Sequence, residues 1–214
     1  MSQTRILVIG ASRGIGLATV KAACDNGWAV KAFSRHASDL AYSHNNLTKI
    51  DGNALLAPDV ERALRDVDAV VLSLGVPFNL KLFTGPITLF SSATRVVLEQ
   101  MQQQNVKRLV CITGFGAGDS IGAIHPLQRV GFNLVFGRAY ADKSAQETAI
   151  KSSSADWTIA RPGVLTNGRQ KPYKTLVAAE TWRNGIISRA NVAVFVINTI
   201  AHGDHIGEAP VLIS

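Results

Sequence analysis

The sequence predicts an α/β fold: one doubly wound, mostly parallel sheet with helices on both faces. Three observations predict it. Short apolar runs alternate with longer stretches of helical periodicity along the chain. The first apolar run, Arg5–Ile9, passes directly into a glycine-rich turn and then a helical pattern. The 214 residues, 47% hydrophobic and 17% charged, suit one globular domain with a full core.

The elements follow in order. Arg5–Ile9 reads as a continuous apolar strand, and Gly14–Asp25 as a helix closed by the stop signal Asn26-Gly27. Trp28–Ser34 and Thr48–Ile50 are the second and third strands. Pro58 opens a helix to about Arg65, proline being tolerated in a first turn. Ala69–Leu72 is the fourth strand. Ile87–Gln104 places Leu89, Phe90, Ala93, Val96, Val97 and Met101 at helical spacing. Lys107–Thr113 is the fifth strand. The glycine-rich stretch from Phe115 to Gly137 reads as a long loop, so that Tyr140 starts the next helix, Tyr140–Lys151. Trp157–Arg161 is the sixth strand, and Ser188 is placed to cap the last long helix. No repeat, low-complexity segment or linker marks a second domain. The expectation is one domain over residues 1–214, with substrate loops at about 114–139 and 163–187.

Composition narrows the functional classes. The 22 Lys and Arg exceed the 15 Asp and Glu, giving +7, but they are scattered rather than clustered as a nucleic-acid footprint would be. Cys24 and Cys111 lie far apart in apolar stretches, which fits buried free thiols in a reducing compartment. The first residues lack the pattern of a signal peptide, and no apolar run reaches the ~18–20 residues of a membrane span. A soluble, cytoplasmic protein is expected, with no nucleic-acid or membrane partner. Metal binding is not expected either. His202 and His205 are separated by the helix-breaking Gly203, and no carboxylate set joins them.

The glycine turn carries the sharpest chemistry. Gly10 ends the first strand, and Gly14 and Gly16 open the helix, with Ala11, Ser12, Arg13 and Ile15 between them. Glycines allow a tight turn, a close approach of backbone to a pyrophosphate, and close helix–sheet packing, while the helix N-terminus offers free N–H groups. The fold is therefore Rossmann-type, and Gly10, Ser12, Arg13, Gly14, Ile15 and Gly16 are expected to bind a dinucleotide. NAD sites usually place an acid about 20 residues further on. Here the second strand ends in Phe33-Ser34-Arg35-His36, with no carboxylate. Ser34 and Arg35 are candidates for a ribose 2′-phosphate, which a guanidinium suits, and Arg13 could close on it from the other side. NADP(H) is the expected cofactor. Asp51-Gly52 follows the third strand, where the carboxylate could accept from the adenine amino group or cap a nearby turn. Leu74-Gly75 follows the fourth strand, where glycine lets backbone pass the cofactor.

These motifs, with Tyr140-Ala141-Asp142-Lys143 and Trp157 to Gly163, resemble the short-chain dehydrogenase/reductase superfamily. More narrowly the chain resembles its atypical NAD(P)H-binding branch, with the biliverdin-IXβ/flavin reductases and the NmrA-like proteins. The resemblance implies that Thr113, Tyr140 and Lys143 form the catalytic set. Thr113 would orient substrate, Tyr140 would move a proton, and Lys143 would hold the nicotinamide ribose and favour the phenolate. It also implies that the backbone near Pro162 and Val164 faces the nicotinamide amide. The spacing departs from Tyr-x-x-x-Lys, since Tyr140 and Lys143 are three apart.

Three readings follow from the resemblance. An NADPH-dependent reductase of a flavin, quinone or related planar acceptor tolerates a displaced tyrosine, because the cofactor carries the hydride chemistry. Phe115, Phe132 and Phe136 could stack the acceptor ring, His125 could donate a proton, and the basic loop Asn167–Lys171 suits anionic groups. The second reading is an NmrA-like sensor that binds NADP(H) without turnover. The third is an epimerase-like or alcohol-dehydrogenating enzyme. A monomer or homodimer fits each.

Overall fold

The computed structural model describes residues 3–75, 88–124 and 126–214, without side-chain detail for 126–136. His125 lies outside the described residues, as do the side chains of Phe132 and Phe136.

The main sheet has eight strands in the order β3-β2-β1-β4-β5-β6-β10-β8. They are β1 Arg5–Ile9, β2 Ala29–Ser34, β3 Leu47–Asp51, β4 Ala69–Leu72, β5 Arg108–Ile112, β6 Asp156–Pro162, β8 Lys174–Leu176 and β10 Val211–Ile213. All pair in parallel except β8, which runs antiparallel to β10. A second, two-stranded parallel sheet joins β7 Val164–Thr166 to β9 Ile186–Ser188. The first six strands have the 3-2-1-4-5-6 order of a Rossmann fold, with the reversal of strand order between β1 and β4.

Both sheet faces are covered, which is why β1 and β4 read as unbroken apolar runs rather than alternating ones. Ile6 and Val8 point to one face, where they meet α1 Gly14–Asp25 and α5 Arg189–His202 through Val20, Ala23, Val192 and Val196. Leu7 and Ile9 point to the other. There they meet α2 Ala57–Leu64, α3 Leu89–Gln103 and α4 Pro126–Lys151 through Val60, Leu64, Val97, Met101 and Ile150. The helix ends follow their signals. Gly27 turns after α1 at φ +77, and Gly203 ends α5 in the left-handed region at φ 69. Ser188 Oγ accepts from the Asn191 amide at 3.0 Å, capping α5 as expected.

One element differs materially from the sequence reading. Helix α4 begins at Pro126, not Tyr140, so Tyr140 sits deep within a 26-residue helix. A short 3-10 helix, Gly118–Ala123, precedes it. The single loop expected between Phe115 and Gly137 is thus mostly helical. Gly131 and Gly137 within it suggested a loop because a helical glycine costs about 1 kcal/mol against alanine. Proline at the helix start and packing along α3 outweigh that cost.

Candidate cofactor and reductase site

A cavity of about 1160 Å³ opens at the carboxyl ends of β1, β2, β4, β5 and β6, across the point where strand order reverses. That is where ligands bind on open parallel sheets. Its floor on the β1 side is backbone. A Cβ on Gly10 would stand 2.3 Å from the Ser73 carbonyl oxygen, and one on Gly16 would stand 2.1 Å from the Gly10 oxygen. The Gly10 amide donates to Phe33 O at 2.9 Å, which holds the turn against β2. Gly10 and Gly14 both take positive φ, at 86 and 61. The turn is therefore shaped to bring α1's N-terminus to the cavity without side chains in the way. Arg13 holds the N-cap position of α1 with no side-chain cap bond, and no acid occupies its first turn. The first amides and the helix dipole face the cavity with no acidic side chain of that turn beside them.

The charges lining the cavity are one-sided. Arg13, Arg35, Lys143 and Arg189 line it, and no Asp or Glu does so among its described residues. Ser34 Oγ, also in the lining, is buried with no hydrogen-bond partner among the described residues. A buried hydroxyl beside a guanidinium, in a cradle of glycines that a Cβ would fill, fits a phosphorylated dinucleotide.

At the β5 end the site is made of side chains instead. Lys143, on α4, donates to the Thr113 carbonyl oxygen at 2.9 Å, and its ammonium lies 4.5 Å from the centre of the buried Phe90 ring. Burial holds Lys143 below the usual lysine range, against the opposing pull of Cys111, Glu147 and Asp142. Asp142 accepts from the Phe90 amide at 2.8 Å and the Ser91 amide at 3.3 Å, which pins the start of α3 to α4. Behind the cavity, Thr113 Oγ1 donates to Glu147 Oε1 at 2.7 Å. Glu147 also accepts from Arg161 Nε at 3.0 Å and from a terminal nitrogen at 2.5 Å, with both side chains essentially fully buried. Arg161 pairs further with Asp119, which Lys151 meets at 3.1 Å, and its guanidinium lies 4.9 Å from the Trp182 ring.

The expected site residues divide three ways. Gly10, Ser12, Arg13, Gly14, Ile15, Ser34, Arg35, Gly52, Leu74, Gly75, Thr113, Tyr140, Lys143 and Pro162 all line the cavity. Gly16 lies beneath the turn, where its missing Cβ makes room for the Gly10 carbonyl. Asp51 and Val164 are not brought there. The Asp51 carboxylate accepts from the Ser38 amide at 2.9 Å and its hydroxyl at 2.7 Å, bonds that hold its pKa below the usual range. It ties down the turn that follows Arg35. Val164 is exposed in the small sheet, its amide donating to Gly185 O at 2.8 Å.

Tyr140 needs a separate account. Burial raises its pKa. In the Tyr-x-x-x-Lys pattern the tyrosine falls four residues before the lysine. Here that position is the buried Ala139, which lines the cavity. Phe115 is not a cavity residue either. It packs with Ile124, Val211 and Ile213 beneath the β10 edge.

Sequence reasoning missed Arg189 as a site residue and took Asn167 only as the start of a basic loop. Arg189 donates to Asn167 Oδ1 at 2.7 Å, and its Nε lies 3.9 Å from where a Gly14 Cβ would stand. They lie 22 residues apart, Asn167 in a loop and Arg189 at the start of α5, whose packing on α1 brings them to the glycine turn. Glu147 was missed because a glutamate within a helix carries no local mark of burial.

Fold and cavity together define a dinucleotide-binding Rossmann domain. Residues 10–203 match the NAD(P)H-binding family, and the chain belongs to it. Among solved structures it resembles ChuY, named as an anaerobillin reductase, from Escherichia coli O157:H7. The two share 23% identity with a TM-score of 0.82, covering 98% of this chain and 97% of that one. A short-chain dehydrogenase/reductase from Veillonella parvula, solved with NADP, superposes with a TM-score of 0.80 at 15% identity, covering 100% and 95%. An uncharacterized chloroplastic protein of Arabidopsis thaliana is 26% identical over 202 residues, which is 92% of this chain and 71% of the relative. The solved neighbours share this chain's fold. Among the described residues, no helix is long and apolar enough to cross a membrane.

Proposed function

We propose that this protein is an NADPH-dependent reductase that passes hydride to a flavin, quinone or related planar acceptor. The observation that carries the proposal is the cavity's charge: among the described residues, four cationic side chains, no acid, and a buried Ser34 hydroxyl without a hydrogen-bond partner. Arg35 and Ser34 take the 2′-phosphate, and Asp51 steadies their loop through Ser38. The glycine turn, Arg13 and Arg189 take the pyrophosphate. Lys143, fixed between Thr113 and Phe90, takes the nicotinamide ribose.

The acceptor side is apolar, formed by Leu74, Leu89, Phe90, Ala139 and Tyr140. An alanine where the family pattern places tyrosine leaves room for a flat ring. When bound, NADPH supplies the hydride: it leaves as NADP+, the acceptor gains two electrons, and water provides the balancing proton. No protein acid is required, which suits a Tyr140 that burial makes a weaker acid. The name of the Escherichia coli neighbour supports a reductase reading of this shared architecture.

The test is NADPH oxidation by the purified protein with FMN and with menadione, followed by loss of reduced-nicotinamide absorbance. Turnover with either, and faster with NADPH than NADH, is expected. Tight NADPH binding with no turnover across flavins, quinones and linear tetrapyrroles would instead favour a nucleotide sensor.

A further inference from the structure

Thr113 is expected, from the superfamily pattern, to orient the substrate, a role in which a hydroxyl would donate to a carbonyl oxygen. The hydrogen bonds behind it decide which way its proton points. Glu147 Oε1 lies 2.7 Å from Thr113 Oγ1 and also accepts from Arg161 Nε, while Oε2 accepts from the same guanidinium. A carboxylate clasped by a fully buried arginine has no proton to give, so the hydroxyl must be the donor. A threonine has one hydroxyl proton, and here the carboxylate holds it. Thr113 lines the cavity, and what its Oγ1 can offer a ligand there is lone pairs.

We infer that Glu147 is a positioning residue that fixes Thr113 as a hydrogen-bond acceptor, so that the site takes an acceptor molecule carrying a ring N–H and does not polarise a carbonyl. The device is rigid for three reasons. Glu147 and Arg161 are each within 1% of full burial. Arg161 is held from its other side by Asp119 and Trp182. A Cβ on Gly118 would stand 2.2 Å from Glu147 Oε2, so even the neighbouring backbone closes on the carboxylate. Lys143 meets Thr113 too, but at the backbone carbonyl, and so leaves the hydroxyl's orientation to Glu147. Buried polar groups left unmatched are what makes a site reject analogues strongly. Thr113 thus discriminates by the polarity of what faces it.

This inference rests on the reductase reading and refines its substrate class. FMN carries a ring N–H, whereas menadione offers only carbonyl oxygens, so their kcat/KM ratio reads the polarity of Thr113. Thr113→Val, close in shape and without Oγ1, is expected to lower the FMN-to-menadione ratio by tenfold or more. Thr113→Ser, which keeps the acceptor, is expected to hold the ratio within twofold of the parent. Glu147→Gln can donate its amide to Oγ1 and release the hydroxyl proton toward the cavity. It should move the ratio in the same direction as Thr113→Val, and the double variant should move it no further. An unchanged ratio in Thr113→Val, or a parent-like ratio in a folded Glu147→Gln, would overturn the inference. If the parent reduces neither compound, the reductase reading fails by itself. Equilibrium binding of FMN and menadione to the NADP+ complex then reads the same ratio, with the same outcomes for and against.

Discussion

At the β1 end of the cavity the groups that would meet a ligand are mostly backbone, shaped by Gly10, Gly14 and Gly16. At the β5 end they are Thr113 after β5 and Lys143 on α4, backed by the buried side chains of Glu147 on α4 and Arg161 on β6. The first end is open to solvent, with Ser12, Arg13 and Arg35 exposed. The second is sealed, with Glu147 and Arg161 buried and their charges matched to one another. A backbone cradle recognises what all dinucleotides share. A buried side-chain network can discriminate one reacting partner from another, and removing one of its members leaves an uncompensated buried charge.

Five variants test that contrast, beginning with the largest effect. Arg161→Met strands the Glu147 carboxylate among buried groups, and stability should fall by about 3–5 kcal/mol, read from the urea midpoint. A loss below about 1 kcal/mol, the range of an exposed pair, would mean the β5 end is no more integral than the surface. Gly16→Ala forces a methyl group into the Gly10 carbonyl. Calorimetry should show NADPH and NADH binding weakened together, by about 1–3 kcal/mol. An intact affinity would show that the turn yields to the added methyl group.

The two arginines at the open end should separate by cofactor. Arg35→Ala should weaken NADPH by about 1.5–3 kcal/mol and barely affect NADH, because only NADPH has the 2′-phosphate. Arg189→Ala should weaken both nucleotides alike, by less, since the pyrophosphate is common to them. Equal losses in Arg35→Ala would remove the 2′-phosphate assignment, and a loss confined to NADPH in Arg189→Ala would exchange the two roles.

The smallest effect concerns pH. Burial holds Lys143 below 10.5, so between its folded value and 10.5 the unfolded chain binds more protons than the folded one. Stability gains from Lys143 therefore grow as pH rises through that window. Lys143→Met should remove this rise, so the parent gains on the variant as pH approaches 10.5 in matched urea titrations. A constant gap between the two chains would show that Lys143 is solvated rather than buried.

The same contrast explains which parts of the molecule are legible in the amino-acid sequence. Glycine spacing after a strand is a local signal, and the absence of an acid at Ser34-Arg35 is another, so the phosphate end is legible residue by residue. The fold class is legible too, because strands covered on both faces are apolar throughout. The β5 end is legible only in part. Thr113 and Lys143 follow from a family pattern. Glu147 acquires its partner through Arg161, 14 residues later, and its geometry through Gly118, and neither relation leaves a trace in local spacing. The start of α4 is misread when glycine propensity is weighed without the packing that overrides it. Strands β7 to β10, three residues each, are too short for alternation to mark them.

Strand β10 carries a consequence for the order of assembly. It lies between β6 and β8 in the sheet, yet follows β6 by about fifty residues in the chain, and the amides of Arg161 and Gly163 donate to Pro210 O and Leu212 O. At the phosphate end only the β1–β2 and β2–β3 pairings, from Arg5 to Ala29 and from Val30 to Leu47, close over shorter separations, which form earlier. The β6 side stays an unpaired sheet edge until its distant partner arrives. Before β10 docks, that edge is open to other chains along the flank that carries Arg161. The arginine that clasps Glu147 therefore sits on the strand whose edge the end of the chain closes.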